Sequence, residues 1–269
     1  MKLGIVSLGL ACACGPSARS QPIDAATGGD AGADAMSFTA QPDAAPAGPV
    51  DVVITADNAY SFGYGDGNGI THFTQGTRAL TAAEIFSCPI GVGPEEYTVP
   101  GEDAPPGAYL YIASWDDHEV TQGMIAQFSR STGTVTTGSA PFEVCATGID
   151  YATGSDDMTG PTVDIINAQI AMCNAGSGDP ATTSVGWVNA TGPTTPGAIG
   201  TLAVGPPNDS TDTLFQIVCQ PTPTTNGIGS AARWLWYDPS GLGSGAFESN
   251  GTNFTKSFLI FRLAAETIF

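Results

Sequence analysis

Apolar positions along this chain come in short runs, alternating or nearly continuous, separated by Gly, Pro, Asn and Asp. That spacing predicts strands. Residues 50–55 (VDVVIT) form one such run, ending at the turn Ala56-Asp57-Asn58. Tyr60, Phe62 and Tyr64 then alternate with smaller residues and project from one face of a second strand. Gly63, Gly65, Gly67 and Gly69 predict a loop over the next segment. Residues 109–115 place Tyr109, Tyr111 and Trp115 on one face, and the polar turn Asp116-Asp117-His118-Glu119 leads to a strand over 124–128. Further runs fall at 184–188, 199–204 and 214–219. Residues 233–237 set Trp234 and Trp236 on the same face, and 257–263 is apolar almost throughout, which predicts a central strand.

Two segments break the pattern. Val163, Ile166, Ile170 and Cys173 recur at helical spacing; Pro161 and Thr162 suit the start of a helix, Asn174 and Gly176 its end. Thr81 and Glu84 stand at capping-box spacing, which predicts a short helix through Phe86. The expectation is a mainly β domain over residues 49–269, a β-sandwich or jelly roll with one or two short helices.

The N-terminus has a different character. Lys2 precedes an apolar run over 3–13 that ends in small residues and cysteine, the order of an export signal. The run is too short to span a bilayer, which takes roughly 20 apolar residues. A cysteine after such a run resembles a bacterial lipoprotein signal, and Cys12 and Cys14 are the lipidation candidates. The resemblance implies an outer-membrane or cell-surface lipoprotein whose only contact with the membrane is an N-terminal lipid. Ala11-Cys12-Ala13 also reads as an ordinary cleavage site, which gives a secreted protein instead. Residues 15–48, built from Ala, Gly, Asp, Pro, Ser and Thr, carry too few large apolar residues to offset the entropy of ordering and read as a disordered tether.

Export changes the reading of the cysteines. Cys88, Cys145, Cys173 and Cys219 are even in number and outside the reducing cytoplasm, so they read as two disulfides. Local pairing, Cys88 with Cys145 and Cys173 with Cys219, is expected among three possible connectivities. Charge narrows the partners. With 26 acidic and 7 basic residues and a formal net charge of -19, the chain is repelled by phosphate backbones, which argues against nucleic acid.

The sequence offers little for catalysis. The only histidines are His72 and His118, and neither an H-E-x-x-H nor a G-x-S-x-G pattern occurs. The aromatic stripes carry more. Sugars stack their C–H faces on coplanar rings, so Trp234 with Trp236, or Tyr109 and Tyr111 with Trp115, are candidate carbohydrate platforms; the alternative is that each stripe is a buried strand face. Asp66 and Asn68, and Asp116 and Asp117, concentrate oxygen ligands in turns, which makes structural calcium the candidate cofactor. Asx residues also favour turns for conformational reasons alone. Asn189, Asn208, Asn250 and Asn253 each open an Asn-x-Ser/Thr triplet and are expected in exposed loops.

Residues 54–62 (ITADNAYSF) resemble the opening strands of galactose-binding-like β-sandwich modules, where an Ala-Asp-Asn turn precedes an aromatic strand. Residues 108–115 followed by 122–128 are similar to the later strand pair of such modules. Those modules often have Asn-Gly in the hairpin after the aromatic strand, where this chain has Gly65-Asp66-Gly67-Asn68-Gly69. The resemblance implies a jelly-roll sandwich of a kind that often binds carbohydrate and sometimes carries a structural calcium ion. The function expected is a non-catalytic binding module for carbohydrate or a surface polymer. A structural or assembly protein of the envelope is the alternative, and a secreted hydrolase the third.

Overall fold

The structure, a computed structural model, describes residues 48–87, 93–115, 120–139, 141–150, 160–176, 186–209, 212, 214–248 and 257–268. All belong to the unit Ala44–Phe269. The expected export signal over 1–14, with Cys12 and Cys14, and all of the expected tether but Gly48 lie outside the described residues.

Thirteen strands form two antiparallel sheets among those residues. The first contains β1 (Val50–Asp57), β4 (Glu95–Val99), β6 (Gly123–Arg130), β7 (Gly133–Thr136), β11 (Thr201–Pro207) and β12 (Arg233–Asp238), in the order β11-β12-β6-β1-β4 with β7 beside β6. The second contains β2 (Ala59–Asp66), β3 (Gly69–Arg78), β5 (Tyr109–Trp115), β8 (Glu143–Asp150), β9 (Val188–Asn189), β10 (Gly192–Pro193) and β13 (Ser257–Ala264), in the order β10-β9-β8-β13-β5-β2-β3. Val52, Ile54 and Trp236 of the first sheet join Phe62, Ile112 and Phe261 of the second in one buried cluster, which makes the fold a β-sandwich. As its apolar run predicted, β13 lies inside its sheet, between β8 and β5.

The second sheet is buried on both faces. Helix α2 (Val163–Ala175) lays Ile166, Ile170 and Cys173 over Tyr111, Ala113, Trp115 and Ile260. Its ends are those the sequence predicts: Thr162 Oγ1 accepts from the Ile165 N–H at 3.4 Å, and Gly176 closes the helix in the left-handed region at φ 62°. A Cβ at Gly176 would also sit 2.5 Å from the Pro196 carbonyl oxygen, so only glycine fits. Asn167 then holds the helix to the outermost strand: its Oδ1 accepts from Ile70 N–H (2.7 Å) and its Nδ2 donates to Ile70 C=O (3.0 Å). The side-chain amide takes the place of a neighbouring strand and blocks that stretch of the edge.

Four expectations are corrected. The glycine-rich segment is not a loop: Gly63 and Gly65 belong to β2, and Gly69 opens β3, with Asp66 paired to Gly69 across the hairpin. Glycine is needed because a Cβ at Gly65 would lie 2.1 Å from Gly69 O. Residues 214–219 form no strand; their polar backbone is gathered by Asn208, whose Oδ1 accepts from Val218 N–H and whose Nδ2 donates to the Val218 and Ile228 carbonyls. Asn208 is therefore buried rather than on an exposed loop. The short helix through Phe86 is present as the five-residue α1 (Ala82–Phe86), but its capping box is not: Thr81 caps nothing with its side chain and Glu84 instead accepts from Leu80 N–H.

The fourth correction is the disulfide pairing. Cys145 bonds to Cys173, joining β8 to α2. That bond takes one cysteine from each expected local pair, so neither exists; Cys219 is disulfide-bonded as well. Cys88 lies outside the described residues. The pair formed is the nearest in sequence, 28 residues apart, because α2 returns over β8 to cover the sheet.

Candidate functional site

The aromatic platforms come first. Trp234 and Trp236 are both 0% exposed and present no ring to a ligand. Trp234 stacks on Phe215 (centroids 4.1 Å apart, planes at 11°), and Trp236 meets Phe261 of the opposite sheet (6.2 Å). Neither indole N–H has a hydrogen-bond partner. This corrects the platform reading for β12: its alternation points the rings inward, where Phe215 covers Trp234 and Phe261 of the second sheet covers Trp236.

The β5 stripe is covered from outside. Tyr111 and Trp115 are buried beneath α2, and only Tyr109 is partly exposed. Arg262 of β13 lies over the rings of Trp187 (3.9 Å) and Tyr109 (4.9 Å) and pairs with Glu143 of β8 at 2.6 Å. Asn174 Oδ1 accepts from both Trp187 Nε1 (2.8 Å) and Arg262 Nη1 (3.1 Å). Tyr111 donates to the Asp66 carbonyl at 2.6 Å, and Asn174 Nδ2 donates to the Gly67 carbonyl. Burial pushes the Tyr111 phenol well up, and the Arg262 charge only partly opposes it. These groups are saturated by one another, so the stripe is a structural fastening and not a platform.

The calcium candidates separate likewise. Asp66 Oδ1 accepts from the Asn68 N–H (2.8 Å) and Oδ2 from its side-chain amide, which hold the Asp66 carboxyl below the usual range. That is an Asx turn. Asp116 and Asp117 lie outside the described residues, as does His118. Among the described residues no three His, Cys, Asp or Glu side chains come together. The most heavily bonded described carboxylate is Asp238: burial raises it, but the N–H groups of Ser240, Gly241, Leu242 and Gly243 together hold it low. It pins the turn after β12.

What remains is a cleft of about 310 Å³ at the end of β1. The turn singled out in the sequence forms its base: Asp57 is buried and accepts from Thr121 Oγ1, and Asn58, joined to it by a cis peptide, has a buried Oδ1 with no partner. Gln216 and Thr81 add further polar groups, while Leu80 and Val120 stand on the rim, 65% and 72% exposed. Phe86 of α1 lines the apolar side and leans on Trp234 behind it (5.9 Å). The arrangement suits a ligand with both apolar faces and hydroxyl groups. Asn58 was legible as part of a turn, but Leu80, Val120 and Gln216 were not. Their only signal is an apolar side chain outside any strand periodicity, at Leu80 beside Thr81 and at Val120 beside Thr121.

Comparison with protein-family models, with curated proteins and with solved structures finds no match.

Proposed function

We propose that the chain is a non-catalytic, exported binding module, lipid-anchored at Cys12 or Cys14, that takes a carbohydrate or envelope polymer into the cleft over Asp57 and Asn58. One observation carries this reading: exposed apolar side chains, Leu80 and Val120, flank amide and carboxylate groups at the bottom of one cleft. A sugar offers the matching pattern, C–H faces for the rim and hydroxyls for the base. The cleft also occupies a fitting place. Gly48 stands two residues before β1 and Asp57 at its end, about 30 Å of extended chain apart at ~3.3 Å per residue. The cleft therefore lies at the end of the domain away from Gly48. The turn beneath it is the one that resembles the galactose-binding-like modules.

Hydrolysis has less support. Cleaving a glycosidic bond takes two carboxyl groups about 5–9 Å apart, and Asp57 is the only carboxylate among the described residues lining the cleft. The test is a glycan array with the exported full-length chain, run with calcium and again with chelator. Selective binding that is lost in Asn58→Ala and in Gln216→Ala is the expected result. Binding that survives both variants places the ligand elsewhere, and an array blank under both conditions turns the reading toward a structural protein of the envelope.

A further inference from the structure

A second cavity, about 450 Å³, lies at the opposite pole, where the chain enters the domain. Gly48 lines it together with Ala104, Pro106, Ala265 and Ile268, and its polar contributions come from Arg130, Glu266 and the loop residues Ser131 and Thr132. Arg130 ends β6 and is half-buried. Its one hydrogen bond among the described residues runs from Nη2 to the Ala104 carbonyl at 2.7 Å, and its Nε is buried without a partner. Glu266, on the same wall, accepts from the Gly107 N–H and forms no ion pair with Arg130.

This is an unusual place for an unpaired guanidinium. The chain carries 26 acidic side chains against 7 basic ones, yet no described carboxylate neutralises this arginine. Arg262, by contrast, has Glu143 at 2.6 Å. A partly desolvated cation with idle N–H donors is stabilised most by a planar anion that accepts two of them at once. Beside it the cavity offers Pro106, Ala265 and Ile268, an apolar surface for a hydrocarbon body. From this pairing of an uncompensated arginine with an apolar wall, we infer that the cavity binds a small monocarboxylate with an apolar body, its carboxylate on Arg130. Acetate, which lacks the body, and a primary amide, which lacks the charge, bind much more weakly.

The test is calorimetric titration of the full-length chain with hexanoate, hexanamide and acetate. Hexanoate is expected to bind at least about tenfold more tightly than either of the others. Arg130→Gln is expected to abolish that preference. Because this change could also disturb the end of β6, a second variant, Thr132→Trp, fills the cavity from its exposed loop without touching the arginine, and it too is expected to weaken hexanoate binding about tenfold. Equal affinity for hexanoate and hexanamide overturns the proposal, as does undiminished binding in both variants. Neither substitution touches the cleft over Asp57, so the outcome is independent of the glycan array.

Discussion

Two aromatic stripes that look alike in the sequence are buried by different means. On β12, Trp234 and Trp236 are packed by apolar rings alone, and their indole N–H groups are left without partners. On β5, Tyr109, Tyr111 and Trp115 face α2 and belong to a layer in which Arg262, Glu143, Asn174 and Trp187 satisfy one another. The inner stripe depends on shape and apolar area; the outer one depends on polar groups placed to fit. Aromatic alternation therefore tells that a strand face is buried without telling what buries it.

The contrast is broken most severely by removing a ring. Trp236→Ala should cost about 3–5 kcal/mol, since it leaves a large cavity between two sheets that cannot collapse onto it. Denaturant unfolding would register this as a lower midpoint; a change under about 1 kcal/mol would mean that the inter-sheet packing at Phe261 is not as described. Next in size, replacing Cys145 and Cys173 together by Ala should cost about 2–4 kcal/mol, given a sequence separation of 28 residues. Because the bond ties α2 to β8, hydrogen exchange should speed up first in α2 and on the outer face of the second sheet, leaving the β12 side protected.

Arg262→Ala tests the outer layer directly and should cost about 2–3 kcal/mol, because it strands the partly buried Glu143 and removes the cation from two rings. Arg262→Lys should recover little, as an ammonium cannot serve Glu143 and Asn174 at once while lying flat on Trp187. Alkaline titration separates the layers again. Burial pushes Tyr97 of the inner core up to about 12 and Tyr60, bonded to Tyr97 and Glu95, well above the ordinary value; Tyr111 of the outer layer is raised as well. A raised folded value means that the neutral phenol is favoured by folding. The associated stability is complete below about pH 10, the unfolded value, and is lost as pH rises toward 12. In Arg262→Ala the Tyr111 hydroxyl should ionise at still higher pH, because the charge that lowers it is gone. Absorbance at alkaline pH would track this, and an unchanged profile would detach Tyr111 from the arginine.

These differences also explain what the sequence could tell. Strands β5, β12 and β13 were legible because their large apolar residues are continuous or alternate in one run, and α2 because its stripe, cap and terminal glycine agree. Strand β8 was not: its outward residues are small because α2 is bonded to it through Cys145, so EVCATGID carries no strong period. Strand β3 was hidden by glycines that admit close approach of its own hairpin partner. Residues 214–219 had the right composition for a strand, but a side chain, Asn208, took the hydrogen bonds a ladder would have made. The candidate cleft was least legible of all. Asp57, Leu80, Thr121 and Gln216 are far apart in the chain, and only the pairing of β1 with β6 and the placement of α1 bring them together.

The finest test of the comparison replaces tryptophan by phenylalanine in each layer. Trp187→Phe and Trp236→Phe remove the same atoms from fully buried sites, so the loss of volume is matched. They differ in what happens to the N–H. In the outer layer the indole donates to Asn174 at 2.8 Å, and its loss leaves that oxygen with Arg262 alone. In the inner layer the N–H has no partner, and removing it relieves a buried, unsatisfied donor. Trp187→Phe should therefore cost about 1 kcal/mol more than Trp236→Phe. In an Asn174→Ala background the difference should shrink, since the partner is already gone. Equal costs in both backgrounds would mean that the outer layer, too, is held by packing alone, and the distinction between the stripes would then be one of position and not of kind.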